Sequence, residues 1–159
     1  MNVTDSQGSL AFLAPYGTSV ADVTAIETAI TTAKQIGCIQ DLGEITTSRS
    51  VQEYSCLSSD ETTKSLGSLT LGNQTIGLLF DAKDATGQAD LVSAFNDATS
   101  DGKRRVMILQ LNDEGTTNPT YIVYDIAVSS LGVAVAKDNA VMRNFTVEVM
   151  SKPVEHLAV

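Results

Sequence analysis

The sequence predicts a mainly β (α+β) protein, a β-sandwich or open barrel of about six to eight strands with one packed α-helix. Three observations support this prediction. Apolar and polar residues alternate at period two in several short segments. Only the segment at about 87–99 has a well-defined helical pattern between start and stop signals. A length of 159 residues with 43% hydrophobic content suits one core. We therefore expect a single domain over residues 1–159.

The first third of the chain has mixed patterns. The apolar run Ser9 to Ala14 is followed by Pro15-Tyr16-Gly17, which predicts a short strand and a turn. Apolar residues recur at helical spacing from Val20 to Ala33, with Ser19 as a possible cap. Threonines disfavour a helix there because β-branched side chains lose rotamer freedom, so the segment is either a short helix or a structured loop. Ile36 to Ile45 resembles a strand interrupted by glycines.

Residues 46–65 stand out as a polar arm. The segment is rich in Ser and Thr, carries charges and has no sustained period. Loops of this length are uncommon in compact domains and are usually functional or partly disordered. We therefore interpret residues 46–65 as an extended arm that becomes ordered against a neighbouring subunit.

The centre of the chain combines strand and helix signals. Leu66 to Phe80 alternates well enough for one strand, or for a hairpin that turns at Gly72-Asn73. The helix at 87–99 has Thr86 or Asp84 as a cap, and Asp90 lies near its positive end. Its predicted apolar face consists of Leu91, Val92, Phe95 and Ala98.

The remaining chain predicts strands at Arg105 to Leu111, Tyr121 to Ser130 and Val141 to Met150, with a turn at 112–115. In the second of these strands the inward residues are Ile122, Tyr124, Ile126 and Val128. In the third, one face carries Val141, Phe145, Val147 and Val149, and the other carries Asn144, Thr146 and Glu148. Residues 152–159 are expected to form a flexible tail.

Composition excludes several classes of function. The formal charge is −9, whereas a protein that grips DNA uses clustered Lys and Arg to displace counterions. No apolar stretch approaches the roughly 20 residues that span a bilayer, so no membrane insertion is expected. The N-terminal residues lack the pattern of a secretory signal.

Catalytic and metal chemistry also lack a basis. The one histidine, His156, lies near the C-terminus, where it would make a poor general base. No nucleophile, phosphate-loop or dinucleotide motif occurs. Two cysteines and one histidine cannot complete a zinc site within the chain without carboxylates or a second subunit. We therefore expect neither an enzyme nor a bound cofactor.

Two features leave alternatives open. The basic cluster Lys103, Arg104 and Arg105 suits a helix C-terminus beside an aggregation-prone strand, ion pairs with a neighbouring subunit, or a phosphate contact. Cys38 and Cys56 are either two reduced thiols or a bridge.

Blocks within residues 36–152 resemble, in order, the major tail tube proteins of long-tailed, lambda-like bacteriophages (siphophages). The blocks that carry the resemblance are the Lys64-containing end of the arm, the strand Ile76 to Phe80 leading into Gly87 to Asn96, the strand Arg105 to Leu111 followed by Tyr121 to Gly132, and Ala136 to Val149. The segment Thr18 to Gln35 departs from the pattern.

The resemblance implies a structural virion protein that forms hexameric rings stacked into a hollow tube for genome ejection. The implied partners are further copies of the chain, a tape measure protein, a tail terminator and a baseplate-side initiator. Viral DNA would pass through without specific binding. The implied location is the virion tail, assembled in the host cytoplasm.

The resemblance also suggests residue roles. The arm would contact a neighbouring subunit through Arg49, Glu53, Tyr54, Asp60, Glu61 and Lys64. Lys103, Arg104 and Arg105 are candidate ion-pair partners for it, and Asn144, Thr146 and Glu148 are candidates for the lumen or a ring contact. The alternative is an extracellular immunoglobulin-like binding or adhesion module with a Cys38 to Cys56 bridge.

Overall fold

A computed structural model describes residues 4–58, 60–84, 86–113 and 119–157. Within these ranges the chain forms ten strands, two α-helices and one 3-10 turn. Their order is β1 (Thr4–Pro15), α1 (Val23–Thr32), β2 (Lys34–Gln35), β3 (Ile39–Asp41), β4 (Thr47–Ser55), β5 (Thr62–Leu71), β6 (Asn73–Leu79), α2 (Gly87–Asn96), the 3-10 turn (Asp101–Lys103), β7 (Arg104–Asp113), β8 (Thr120–Ala134), β9 (Met142–Val149) and β10 (Val154–His156).

The main sheet is antiparallel and curls into an open barrel. Its strand order is β2-β1-β7-β8-β9-β6-β3, with β10 also paired to β8. The two end strands, β2 and β3, are joined by residues 36–38 alone, which lets them lie at most about 14 Å apart. A flat sheet of seven strands would be about 29 Å wide. The sheet must therefore bend back on itself, which confirms the predicted mainly β architecture in its open-barrel form.

The barrel interior holds the larger apolar cluster. It contains residues from β1, β6, β7, β8 and β9 at period two, together with Leu91 and Ala94 of α2. The predicted inward residues Tyr124, Ile126 and Val128 of β8 are buried there, with Phe145, Val147 and Val149 of β9. Ile122 is partly buried against the same cluster.

Helix α1 covers part of the outer face of the sheet. Phe12 and Ala14 of β1 and Val106 and Ile108 of β7 point away from the interior and pack with Ile26. These strands are buried on both faces, which is why their sequences are continuous apolar runs.

The threonine-rich segment is thus a helix, and it begins at a different cap from the predicted one. The Asp22 carboxylate, not Ser19, accepts a hydrogen bond from the Ala25 N–H at 2.7 Å. The hydroxyls of Thr28 and Thr31 donate to the carbonyls of Thr24 and Thr28 in the same helix. Their polar groups are therefore satisfied without breaking the helix.

The sequence offered Thr86 or Asp84 as the cap of α2, and the Asp84 side chain is the one that caps it. Its carboxylate accepts from the N–H groups of Gly87 and Gln88, both at 3.2 Å. Burial alone would raise the pKa of Asp84, but hydrogen bonds from Thr86 and from the backbone of Gln88 and Gly37 lower it below its ordinary value. The helix ends at Asn96, earlier than predicted, so Ala98 is exposed beyond it.

Four predicted segments differ from the structure, wholly or in part. Gly72-Asn73 does not turn a hairpin, because β5 pairs with β4 whereas β6 pairs with β9 and β3. Within the predicted strand from Ile36 to Ile45, only Ile39–Asp41 forms a strand, and the backbone on either side of it is irregular. Part of the predicted flexible tail at 152–159 is a strand, since Val154–His156 pair with β8, and residues 158–159 lie outside the described residues. Of the predicted turn at 112–115, the first two residues end β7 and the rest lies outside the described residues.

We expect Tyr124→Phe to destabilise the barrel and to change its alkaline behaviour. The buried Tyr124 hydroxyl donates to Gln74 Oε1 at 2.7 Å. Burial raises the pKa of Tyr124 well above the ordinary value of 10.0, although the Gln74 bond acts to lower it. The neutral hydroxyl therefore contributes stability that is fully present below pH 10 and is lost as pH rises above it.

The variant should lower the free energy of unfolding by about 1–2 kcal/mol at pH 7, because Gln74 loses its donor. It should also lose less stability than the wild type between about pH 10 and pH 12. Urea unfolding at both pH values checks this, with Tyr54→Phe on the exposed hairpin as control. Equal alkaline losses in wild type and Tyr124→Phe would contradict the assignment.

Candidate assembly surfaces

The predicted arm is an ordered β-hairpin that stands apart from the barrel. Strands β4 and β5 form a two-stranded sheet of their own, from the pair Thr47 and Leu71 at the base to Ser55 and Thr62 near the tip. Every residue of β4 is exposed. Nine residues of strand extend about 30 Å. An isolated two-stranded hairpin is marginally stable in water, so this one is suited to gaining support from a partner.

The base of the hairpin is fixed to the barrel. The Gly72 N–H donates to the Thr46 carbonyl at 2.9 Å, which continues the pairing of the two hairpin strands, and the Gly72 carbonyl accepts from the Val149 N–H of β9 at 3.1 Å. A Cβ at position 72 would lie 3.1 Å from that oxygen, so glycine allows this close approach. Ile45 and Leu71 pack against the barrel interior. The base of the hairpin is therefore anchored to the barrel core.

The two faces of the hairpin differ in chemistry. Residues paired across antiparallel strands share a face. One face carries the apolar pair Val51 and Leu66, which are 56% and 70% exposed. Next to it, Lys64 Nζ lies 3.1 Å from Glu53 Oε1. The opposite face is polar, and there the Tyr54 hydroxyl donates to Gln52.

All six predicted arm residues lie on this exposed hairpin. Glu53 and Lys64, expected to contact a neighbour, pair with each other. The Arg49 guanidinium donates to the Gly67 carbonyl at 3.4 Å, and Asp60 and Glu61 are exposed near the tip. Sequence reasoning missed the apolar residues Val51, Leu57 and Leu66, because they stand singly in a Ser/Thr-rich segment that has no sustained period. Their role in assembly, like that of the charged residues, stays a prediction.

Two of the three residues of the basic cluster, Arg104 and Arg105, are held inside the subunit. The pairing of the cluster with the arm of a neighbouring subunit stays a prediction. Arg105 Nε lies 3.0 Å from Asp90 Oδ2, and the Arg105 side chain is only 17% exposed. Its Nη1 donates to the Gly102 carbonyl at 2.8 Å. Lys34 Nζ lies 3.1 Å from the other Asp90 oxygen. Asp90, predicted as a helix-dipole residue, is thus the buried anchor that joins α2 to β7.

Arg104 is also held within the subunit. Its guanidinium lies over the Tyr16 ring, 4.1 Å from the centroid, and donates to the Tyr16 hydroxyl at 2.8 Å. It lies 3.8 Å from Asp125 as well. Lys103 ends the 3-10 turn. Hydrogen bonds from Thr99 lower the pKa of Asp97 below its ordinary value, and the positive charges of Arg105 and Lys103 lower it further.

Asn144, Thr146 and Glu148 share the outer, polar face of β9. Their pairing partners on β6 are Gly77, Thr75 and Asn73. On β8 the register shifts between Val128 and Ser130, which keeps Ser130 and Gly132 on this same face. The sequence thus placed these three side chains together correctly. Their assignment to a lumen or ring contact is untested.

A groove lies where the β1–α1 connection meets β8 and β10. It has a volume of about 560 Å³, and Val20, Val123 and Val154 supply apolar lining. Lys152 and His156 also line it. His156 Nε2 is buried without a hydrogen-bond partner. The sequence offered no signal for this groove because three separate segments build it.

The described residues show no cluster of three or more His, Cys, Asp or Glu side chains suited to a metal ion. Cys38 and Cys56 are both exposed and unbonded. Neither of the two described helices is long and apolar enough to cross a membrane.

The sequence matches no family model and no curated protein. Solved structures, in contrast, match nearly the whole chain. The SPP1 tail tube has a TM-score of 0.65 and 11% identity, covering 99% of this chain and 81% of that one. The sheath/tube terminator of the PVC extracellular contractile injection system has a TM-score of 0.70 and 9% identity, covering 98% and 97%.

This chain has the tail tube fold. A chain from the virion of a native gene transfer agent matches as well, with a TM-score of 0.61, 10% identity and coverage of 98% and 100%. At such identities the likeness establishes the fold, and residue roles must come from the chain itself. The matches give no support to an immunoglobulin-like module.

Proposed function

We propose that this chain is the structural subunit of a phage-type tail tube. Six copies form a ring, and rings stack into a hollow conduit for genome ejection. The observation that carries the proposal is the tail tube fold over nearly the whole chain, found in tail-like machines of different kinds. The role is structural and not enzymatic.

Symmetry among the similar structures supports the ring of six. The gene transfer agent tail has C6 symmetry, and the anti-feeding prophage baseplate is six-fold symmetrised. A ring needs a heterologous contact that closes after six copies, and a stack needs a second contact that does not close. The exposed hairpin and the exposed outer surface of the barrel are separate surfaces that can make these two contacts.

The polar face of β9 is the proposed lumen wall. Asn144 and Thr146 carry no charge and Glu148 is acidic, so a polyanion would find little to bind. Arg104 shares a cross-strand row with Ala127 and Glu148, but its guanidinium is held by Tyr16 and Asp125. With a formal charge of −9 per chain, DNA would pass without specific binding.

The proposal includes partners and a location. A tape measure protein would set tube length, a baseplate-side initiator would start polymerisation and a terminator would end it. Assembly would take place in the host cytoplasm, and the product would be the virion tail.

Native mass spectrometry and sedimentation velocity test the proposed ring. We expect species of six 16.8 kDa chains, and heavier multiples of six as concentration rises. A dimer, or a series without six-fold steps, would contradict the proposed ring.

A further inference from the structure

Exposed apolar side chains concentrate in three places among the described residues. The hairpin carries Val51, Tyr54, Leu57 and Leu66. Tyr16, Met150, Val154 and Leu157 line the groove or lie directly beside its lining residues in sequence. Phe80, Val133 and Val135 lie at or just beyond the ends of β6 and β8, beside the start of β9, a place that we call the open end of the barrel. Clustered exposed apolar groups on a soluble protein indicate surfaces that a partner covers.

The groove is suited to an apolar group next to a carboxylate. Val20, Val123 and Val154 line it. Lys152 is exposed beside them, and the described residues place no carboxylate within 4.0 Å of its Nζ. The buried His156 Nε2 also needs a partner. Asp125, the carboxylate in the lining, lies 3.8 Å from Arg104.

The hairpin tip has the complementary chemistry. Leu57 is fully exposed, and Asp60 follows three residues later. No described cation lies within 4.0 Å of the Asp60 carboxylate. Because the hairpin extends about 30 Å from its base, the tip can reach a second copy of the chain.

We propose that the hairpin tip of one copy docks in this groove of the next copy. Leu57 packs on Val20, Val123 and Val154, and the Asp60 carboxylate pairs with Lys152 beside His156. The inference rests on the proposed tube and names one of its contacts. The open end of the barrel also offers cations, namely Arg143, which stacks on Phe80 at 4.3 Å from the ring centroid, and the exposed Lys137. The groove adds a concave volume of about 560 Å³, lined by valines, that can enclose Leu57.

Native Cys56 provides a reporter for this contact, since it is exposed and precedes Leu57. In a Cys38→Ser background, Lys152→Cys places a second thiol in the groove. Lys137→Cys is the matched control, an exposed lysine in the connection near the open end of the barrel. A disulfide forms only when the two Cα atoms lie within about 7 Å of each other, so a bond between Cys56 and position 152 shows that the tip and the groove are in contact.

After assembly and mild oxidation, Lys152→Cys should give a ladder of covalent multimers on a non-reducing gel. Cys38→Ser alone and the Lys137→Cys control should not. A ladder from Lys137→Cys instead would place the tip at the open end of the barrel and overturn the groove. Tubes without any ladder would overturn the docking and leave the proposed function standing. Strict monomers for every variant and the wild type would overturn both.

A charge swap gives an independent readout. Asp60→Lys and Lys152→Asp should each raise the concentration needed for assembly about tenfold, and the double variant should restore it. Failure of the double variant to recover would contradict the Asp60 to Lys152 pair.

Discussion

Removing the hairpin should abolish assembly while the barrel stays folded. Thr47 and Leu71 are register partners, so Ser48–Thr70 can be replaced by an Asn-Gly turn that joins them. The hairpin's strands pair only with each other, and every residue of β4 is exposed, so little barrel packing is lost. We expect a chain with a melting temperature within a few degrees of the wild type that sediments as a monomer at all concentrations.

The control is Ser48→Ala, which keeps the hairpin and changes one exposed polar residue of β4. This variant should assemble normally. Circular dichroism establishes that both variants are folded before assembly is scored. If the shortened chain still forms tubes in the electron microscope, the hairpin is not an assembly element.

Breaking the buried ion pair between Asp90 and Arg105 should have the largest effect on stability. Asp90→Ala removes a carboxylate that is only 9% exposed and leaves the Arg105 guanidinium without its charge partner. The free energy of unfolding should fall by about 3 kcal/mol, because an uncompensated charge then remains largely buried. Urea unfolding measures this change.

Two comparisons separate charge burial from loss of packing. Lys34→Ala removes the other partner of Asp90, but Lys34 is 52% exposed, so the loss should stay below about 1 kcal/mol. The double variant Asp90→Leu and Arg105→Met replaces the pair by apolar groups and should recover much of the lost stability. A loss below about 1 kcal/mol for Asp90→Ala would show that the pair contributes little.

The sequence predicted the strands β8 and β9 and the helix α2, in which one face of the segment is buried and the other is not. Period two identified the inward residues Tyr124 and Ile126 of β8 and Phe145 and Val147 of β9, because burial on one side forces alternation. The sequence predicted α2 for the same kind of reason, and it offered Asp84 as one of two alternative caps.

Elsewhere the physical cause lies outside local sequence. The hairpin is exposed on both faces, so nothing forces its residues to alternate. The sequence therefore predicts only an extended arm that becomes ordered against a neighbouring subunit. The partnership of Arg105 with Asp90 depends on α2 packing beside β7, which no local pattern encodes. Strand β10 has three residues, which are too few for a periodic signal. Because β10 forms part of the groove around His156, the sequence did not predict the groove either.

Electron microscopy of the purified wild-type protein tests the central claim most directly. The proposed function predicts hollow tubes whose cross-sections average to six-fold rings, with a separate copy of the barrel at each position. A uniform field of single subunits at concentrations where tail-like tubes should grow would contradict it.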